Sequence, residues 1–115
     1  MTPQSLAGLI IYGEKPGSLL SFYRDQLGIP LALAWHGRLA EHYEAALEHS
    51  HVALLPGAPR IVPSFRVADL NAALAAAETR GATIALKPLD LGEGKRVAGL
   101  RGPDGFEVRM IEFHD

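Results

Sequence analysis

The sequence contains no cysteine. That excludes disulfides, thiolate nucleophiles and cysteine-ligated zinc or iron–sulfur centres. Aromatic residues make up only 7% of the chain, with a single tryptophan, so an aromatic-lined pocket must draw on few side chains. No apolar run approaches the roughly 18 residues that cross a bilayer as a helix, so no membrane partner is expected. Lys and Arg form no cluster and the net charge is −2. Both argue against a nucleic-acid partner, because phosphate binding needs a concentrated basic surface. The opening residues, Met1-Thr2-Pro3-Gln4-Ser5, lack the basic and apolar regions of a secretion signal, so a cytoplasmic location is expected.

What is present suits one domain. A chain of 115 residues can bury one modest core, and 48% hydrophobic with 21% charged residues is ordinary for a globular fold. The chain also says nearly the same thing twice. Residues 8–31 run apolar stretch, Pro-Gly break, apolar helix, glycine, strand. Residues 62–86 run apolar stretch, Asp-Leu-Asn break, apolar helix, glycine, strand. An offset of 54 positions (62 − 8) lays Ala73-Leu74 on Leu19-Leu20 and brings Gly81 within one position of Gly28. Such self-similarity points to a duplicated module.

In the first copy, residues 6–12 read as a strand, with β-branched Ile10 and Ile11. Ser18 as a cap, or Pro16 at the first helical position, then starts a helix. Leu19, Leu20, Phe22, Tyr23 and Leu27 form its apolar stripe, and Gly28 stops it. Residues 31–36 read as a strand. Residues 39–47 favour helix by propensity, but Tyr43 and the short bounded length suit a strand, and strand is the reading adopted. Residues 51–55 form the next strand. Pro56-Gly57-Ala58-Pro59 is the linker between modules, which span approximately residues 5–55 and 60–114.

In the second copy, residues 61–67 read as a strand and Asp69 as the N-cap of a helix over residues 70–80. Leu70, Ala73, Leu74 and Ala77 are its buried stripe, and Gly81 ends it. Residues 83–86 are a strand, residues 87–94 an irregular loop, and residues 96–100 a strand. Pro103-Asp104-Gly105 is a tight turn, and residues 106–113 are the last strand. Gly92-Glu93-Gly94 could edge a cleft as a lid or be a plain connection. It is not a phosphate-binding fingerprint, since neither a third glycine nor a following helix is present. The summed order is βαβββ twice. The expected class is α+β: two modules forming a cupped mixed sheet with helices on the convex face.

Three segments resemble a known superfamily. Ser21-Phe22-Tyr23-Arg24-Asp25-Gln26-Leu27-Gly28 is similar to the FYRDxLG segment closing the first helix in the vicinal oxygen chelate group. That group includes glyoxalase-like, bleomycin-resistance-like and extradiol-dioxygenase-like proteins. Val67-Ala68-Asp69-Leu70-Asn71-Ala72-Ala73 resembles its VxDLdaA start of the second helix. Arg101-Gly102-Pro103-Asp104-Gly105-Phe106-Glu107-Val108 resembles its RDPDGxxxEL turn before the last strand. The resemblance covers nearly the whole chain. It implies the glyoxalase/bleomycin-resistance fold, a homodimer, and a divalent metal held by His, Glu or Gln. Carried over by position, the ligand places fall on Gly8, Val62, Arg109 and near Ala53. Glycine, valine and alanine offer no side-chain donor, and arginine does not deprotonate at neutral pH. His51, two residues before Ala53, is one imidazole where three or more ligands are needed. No metal and no cofactor are therefore expected.

Two functions follow. The first is metal-independent binding of a small organic ligand in the concave cup, with drug sequestration as one form. Its candidate contacts are Tyr12, Trp35, Tyr43, His51, Glu107 and Arg109, with Ile10 in the apolar lining. Arg109 could clamp a carboxylate or phosphate, or simply pair with Glu107 or Glu44. The second is a lyase, isomerase or dioxygenase-type enzyme using a displaced metal or His/Glu acid–base chemistry. Its candidates are His36, His42, His49, His51, Glu41, Glu44 and Glu107. Spacing of two puts His42 and Glu44 on one strand face, although an exposed, solvated histidine is the plainer expectation for His42.

Overall fold

The computed structural model describes residues 4–34 and 42–114. Trp35, His36 and Glu41 lie outside the described residues. The chain divides into two compact units, Gly8–Val62 and Pro63–Asp115, the latter joined by Met1–Ala7. The boundary falls where the sequence offset lays Val62 on Gly8.

The first unit contains β1 (Ser5–Gly13, its first residues grouping with the second unit), α1 (Pro16–Leu20), a π-helical continuation (Ser21–Gln26), β2 (Ala32–Ala34), β3 (His42–Ala46) and β4 (His51–Pro56). Its strands lie in the order β2-β3-β4-β1. β4 runs parallel to β1 and antiparallel to β3, with Gly8 opposite His51 and Glu44 opposite Ala53. The second unit contains most of β5 (Arg60–Arg66), α2 (Leu70–Thr79), β6 (Thr83–Gly92), β7 (Lys95–Arg101), a 3-10 turn (Pro103–Gly105) and β8 (Glu107–Phe113). Its order is β5-β8-β7-β6, with β8 parallel to β5 and antiparallel to β7. Each unit is thus a βαβββ module with a mixed sheet, and the class is α+β.

Both helices start where chain chemistry starts them. Pro16, not Ser18, opens α1: Lys15 holds the cap position and makes no side-chain cap. Asp69 caps α2, its Oδ1 accepting from the Ala72 N–H at 3.1 Å. Gly28 and Gly81, with φ of +79° and +100°, follow the two helices as expected.

Burial then sorts the faces. In the first unit Ile11, Leu20, Leu31, Ala45, Val52 and Leu54 form one cluster, with Leu19, Tyr23 and Tyr43 against it. In the second, Val67, Leu70, Ala73, Leu74, Ala98, Leu100 and Met110 form another. Each cluster lies between the helix and one face of its sheet, and strand alternation turns the intervening residues to the opposite, helix-free face.

Two expectations give way. The apolar stripe of the first helix holds only in part past Leu20: Tyr23 packs against the core, but Phe22 and Leu27 are exposed. The reason is the π-helical continuation, marked by the Leu27 N–H donating to the Phe22 carbonyl at 3.1 Å. The wider turn carries later side chains off the 3.6-residue stripe. The irregular loop expected over residues 87–94 is instead mostly strand, since β6 continues to Gly92. Register shifts fall between Leu86 and Leu89 and between Asp90 and Gly92. Pro88 cannot donate to the ladder, so the strand bulges around it and then resumes pairing with β7. Gly92-Glu93-Gly94 is therefore the tip of a hairpin, with all three residues at positive φ.

Candidate functional site

The helix-free face of the first unit carries the densest polar cluster described there. β3 places His42 and Glu44 on it two residues apart, and β4 adds His51 from the neighbouring strand. His42 Nε2 lies 2.5 Å from Glu44 Oε2, and His51 Nε2 lies 2.8 Å from Glu44 Oε1. One carboxylate thus spans two imidazoles, one on each oxygen. Side-chain exposure rises along the chain of contacts, from 2% at His42 to 15% at Glu44 and 46% at His51. The expected solvated His42 is therefore corrected. It is buried, and it can be because the carboxylate satisfies its polar edge. His49 stays exposed beside Glu48 in the β3–β4 turn.

Tyr12 lies near the end of β1, with the Arg60 guanidinium stacked 3.8 Å from its ring centroid. Arg60 is held over it by the turn at residues 57–59, where a Cβ on Gly57 would sit 3.0 Å from the ring. Tyr43 packs against the helix-side cluster, unlike its neighbours His42 and Glu44. Gly8 is required by close approach: a Cβ there would stand 1.8 Å from the His51 carbonyl oxygen.

The second unit builds its own polar cluster on β7 and β8. Arg109 is buried, and its Nη1 donates to Glu107 Oε2 at 2.8 Å. Arg101, opposite Glu107 on β7, donates from Nη2 to Oε1 at 3.3 Å. The pair between Arg109 and Glu107 anticipated from their spacing is formed. Gly99, opposite Arg109, makes room for the guanidinium: a Cβ would lie 2.7 Å from Nη1 and 3.1 Å from the Leu86 Cβ. Ser64 of β5 stands beside Arg109 in the parallel register.

Glu112 is a structural anchor that no sequence motif singles out. It lies on the core face of β8, where Oε1 accepts from the Leu70 N–H at 2.8 Å. It thereby satisfies an orphan donor at the start of α2 that Asp69 does not reach. Oε2 faces His114 and lies 3.8 Å from Arg96 Nη1. The signal was available: alternation from Val108 and Met110 puts an acid on a core-facing position.

The divalent metal implied by the resemblance does not fit these residues. Gly8, Ala53 and Val62 bring no donor atoms, and at Arg109 a guanidinium already in a charge pair takes the place of a ligand. Among the described residues no group of three His, Asp or Glu side chains is arranged to hold a metal ion. No helix among them is long and apolar enough to cross a membrane.

No family model and no curated protein matches this sequence. Solved structures do match it in fold. A hypothetical protein, BH1468 from Bacillus halodurans C-125, superposes with a TM-score of 0.75 at 17% identity, over 96% of this chain and 94% of that one. Methylmalonyl-CoA epimerase from Mycobacterium tuberculosis gives 0.75 at 15% identity, over 98% and 90%. The Streptomyces coelicolor epimerase, as a single-residue variant in complex with 2-nitronate-propionyl-CoA, gives 0.72 at 14% identity, over 99% and 100%.

Proposed function

We propose that this chain, which has the glyoxalase/bleomycin-resistance-like fold of the vicinal oxygen chelate superfamily, binds a small organic anion without a metal. One observation carries the reading. In the last strand, where the superfamily places a metal ligand, Arg109 holds a fixed positive charge, oriented by Glu107 and seated over Gly99. Guanidinium is always charged at physiological pH and matches the planar geometry of a carboxylate or phosphate. A metal is a cation that draws anionic oxygen to the site, and an arginine in the last strand supplies charge of the same sign through side-chain chemistry alone. Glu107, which holds Arg109, is the further contact assigned to this ligand. Drug sequestration is one form such binding takes. The ligand seen with the Streptomyces epimerase adds acyl-CoA compounds to the candidates. The protein acts in the cytoplasm as a homodimer on this reading.

Metal analysis of the purified protein, paired with a thermal-shift screen, tests it. The screen covers antibiotics, aromatic acids, thiol conjugates and acyl-CoA thioesters. The expected result is no stoichiometric zinc, nickel, iron or manganese, and stabilisation by anionic compounds that Arg109→Ala abolishes. Stoichiometric metal, or binding unchanged in Arg109→Ala, overturns it. Sedimentation analysis checks the dimer.

A further inference from the structure

We propose that Arg101 is a second anion-binding residue, and that Glu107 is an internal counter-anion whose seat between Arg101 and Arg109 is taken over by a carboxylate group of the ligand. The inference deepens the binding reading of Arg109 and rests on it. It names the ligand's anionic group as a carboxylate rather than a phosphate.

A buried guanidinium costs free energy unless a negative charge faces it, whichever molecule carries that charge. Arg109 is buried, and Glu107 supplies such a charge: its Oε2 accepts from Arg109 Nη1 at 2.8 Å. The other oxygen, Oε1, accepts from Arg101 Nη2 at 3.3 Å. Arg101 stands opposite Glu107 on β7, and Arg109 follows Glu107 by two on β8, so alternation brings all three to one sheet face. The two strands therefore already hold one carboxylate by two arginines, one oxygen to each. A ligand carboxylate has the same plane, the same two oxygens and the same charge as the Glu107 side chain, and guanidinium geometry matches it. A phosphate is tetrahedral and carries further oxygens out of that plane.

Exposure gives the exchange a route. The Arg109 side chain is 9% exposed, Glu107 15% and Arg101 49%. Arg101 is the outer member, and its contact with Glu107 is the looser of the two, past the usual length of an N–H···O bond. An incoming carboxylate thus meets Arg101 first and reaches Arg109 second, releasing Glu107 Oε1 and then Oε2. The charge in the seat is unchanged, one carboxylate standing where another stood. Two roles for Glu107 then predict opposite signs. If it only orients Arg109, removing its charge weakens ligand binding. If it occupies the ligand's seat, removing its charge strengthens binding, because the ligand no longer competes with a tethered anion.

Titration of the full chain with benzoate and with phenylphosphonate, which share a ring and differ in the anionic group, tests the proposal. Calorimetry gives the affinities, and carbon-13 NMR follows the Glu107 side-chain carboxyl. Wild type is expected to bind benzoate more tightly than phenylphosphonate, with the Glu107 carboxyl signal moving as benzoate is added. Glu107→Gln keeps the shape and removes the charge, and should raise benzoate affinity by about tenfold. Arg101→Ala should lower it by about tenfold, the low end for a hydrogen bond to a charged group. The NMR signal is read in wild type, so it decides even where a variant does not fold. The proposal is overturned if Glu107→Gln binds benzoate no better than wild type, or if Arg101→Ala binds it equally well. It is also overturned if the Glu107 signal stays fixed while benzoate binds, or if phenylphosphonate binds as tightly as benzoate. Arg109→Ala divides the two readings. Benzoate binding that is lost in Arg109→Ala but indifferent to Glu107 and Arg101 sinks the exchange and leaves the binding function standing, whereas binding of neither probe sinks both.

Discussion

At the scale of single residues, two glycines set the terms for the polar groups beside them. Gly8 lets β1 approach β4 where a side chain would collide with the His51 main chain. Backbone cannot swing aside as a side chain can, so Gly8→Ala is expected to destabilise by about 3 kcal/mol, at the upper end for overpacking. Urea unfolding of the variant measures it. Gly99 differs, because the nearest obstacle to its Cβ is a guanidinium. Gly99→Ala should therefore leave stability within about 1–3 kcal/mol of wild type while displacing Arg109. Calorimetry with an anionic ligand from the screen would show affinity falling further than the melting temperature. His42 teaches a lesson about legibility at this scale. Its alternation with Glu44 was readable, but its burial was not, because burial depended on a hydrogen bond that composition does not display.

Among elements, the two helices show what local pattern can and cannot carry. α2 was readable nearly to the residue, since Asp69, the alanine-rich stripe and Gly81 all agree. The first helix was readable as an element but not in its phase, because a π-helical segment shifts the stripe without any punctuating residue. From the sequence β6 ends early because Pro88 and two glycines look like a loop, whereas a bulged strand tolerates them. Capping yields the testable numbers. Asp69→Ala should cost about 1 kcal/mol, the usual value of an N-cap. Glu112→Ala should cost about 2 kcal/mol, because it strands the buried Leu70 N–H, and Glu112→Gln should recover part of the loss by restoring an acceptor. Chemical denaturation of the three variants settles the ranking.

For the whole molecule, the duplicated order βαβββ and three short motifs were enough to read the fold, and the structural matches agree with it. The candidate site was legible in its residue types. Of its polar contacts, the pairs His42–Glu44 and Glu107–Arg109 follow from a spacing of two, whereas His51–Glu44 and Arg101–Glu107 do not, since they join neighbouring strands through registers no sequence spacing states. A bound ligand should act on this scale, stabilising the chain by about 2.7 kcal/mol at 100 times its dissociation constant. Melting temperature against ligand concentration checks that, and a flat response across the anionic compounds counts against the binding reading.

The parallel pairing within each module has a further consequence, for the order of folding. β1 meets β4 with Gly8 on His51, a separation of 43 positions (51 − 8), and β5 meets β8 with Ser64 on Arg109, a separation of 45 (109 − 64). Loop-closure entropy grows only with the logarithm of length, so these two closures cost almost the same. Chain length therefore does not choose which half assembles first. Local order does, and α2, at ten residues with a side-chain cap, is better equipped to nucleate than five-residue α1. Substitutions at Leu70 and Leu74 should slow refolding, whereas Leu20 and Leu54 variants should chiefly speed unfolding. Stopped-flow kinetics would reveal the asymmetry that the near-repetition of the sequence conceals.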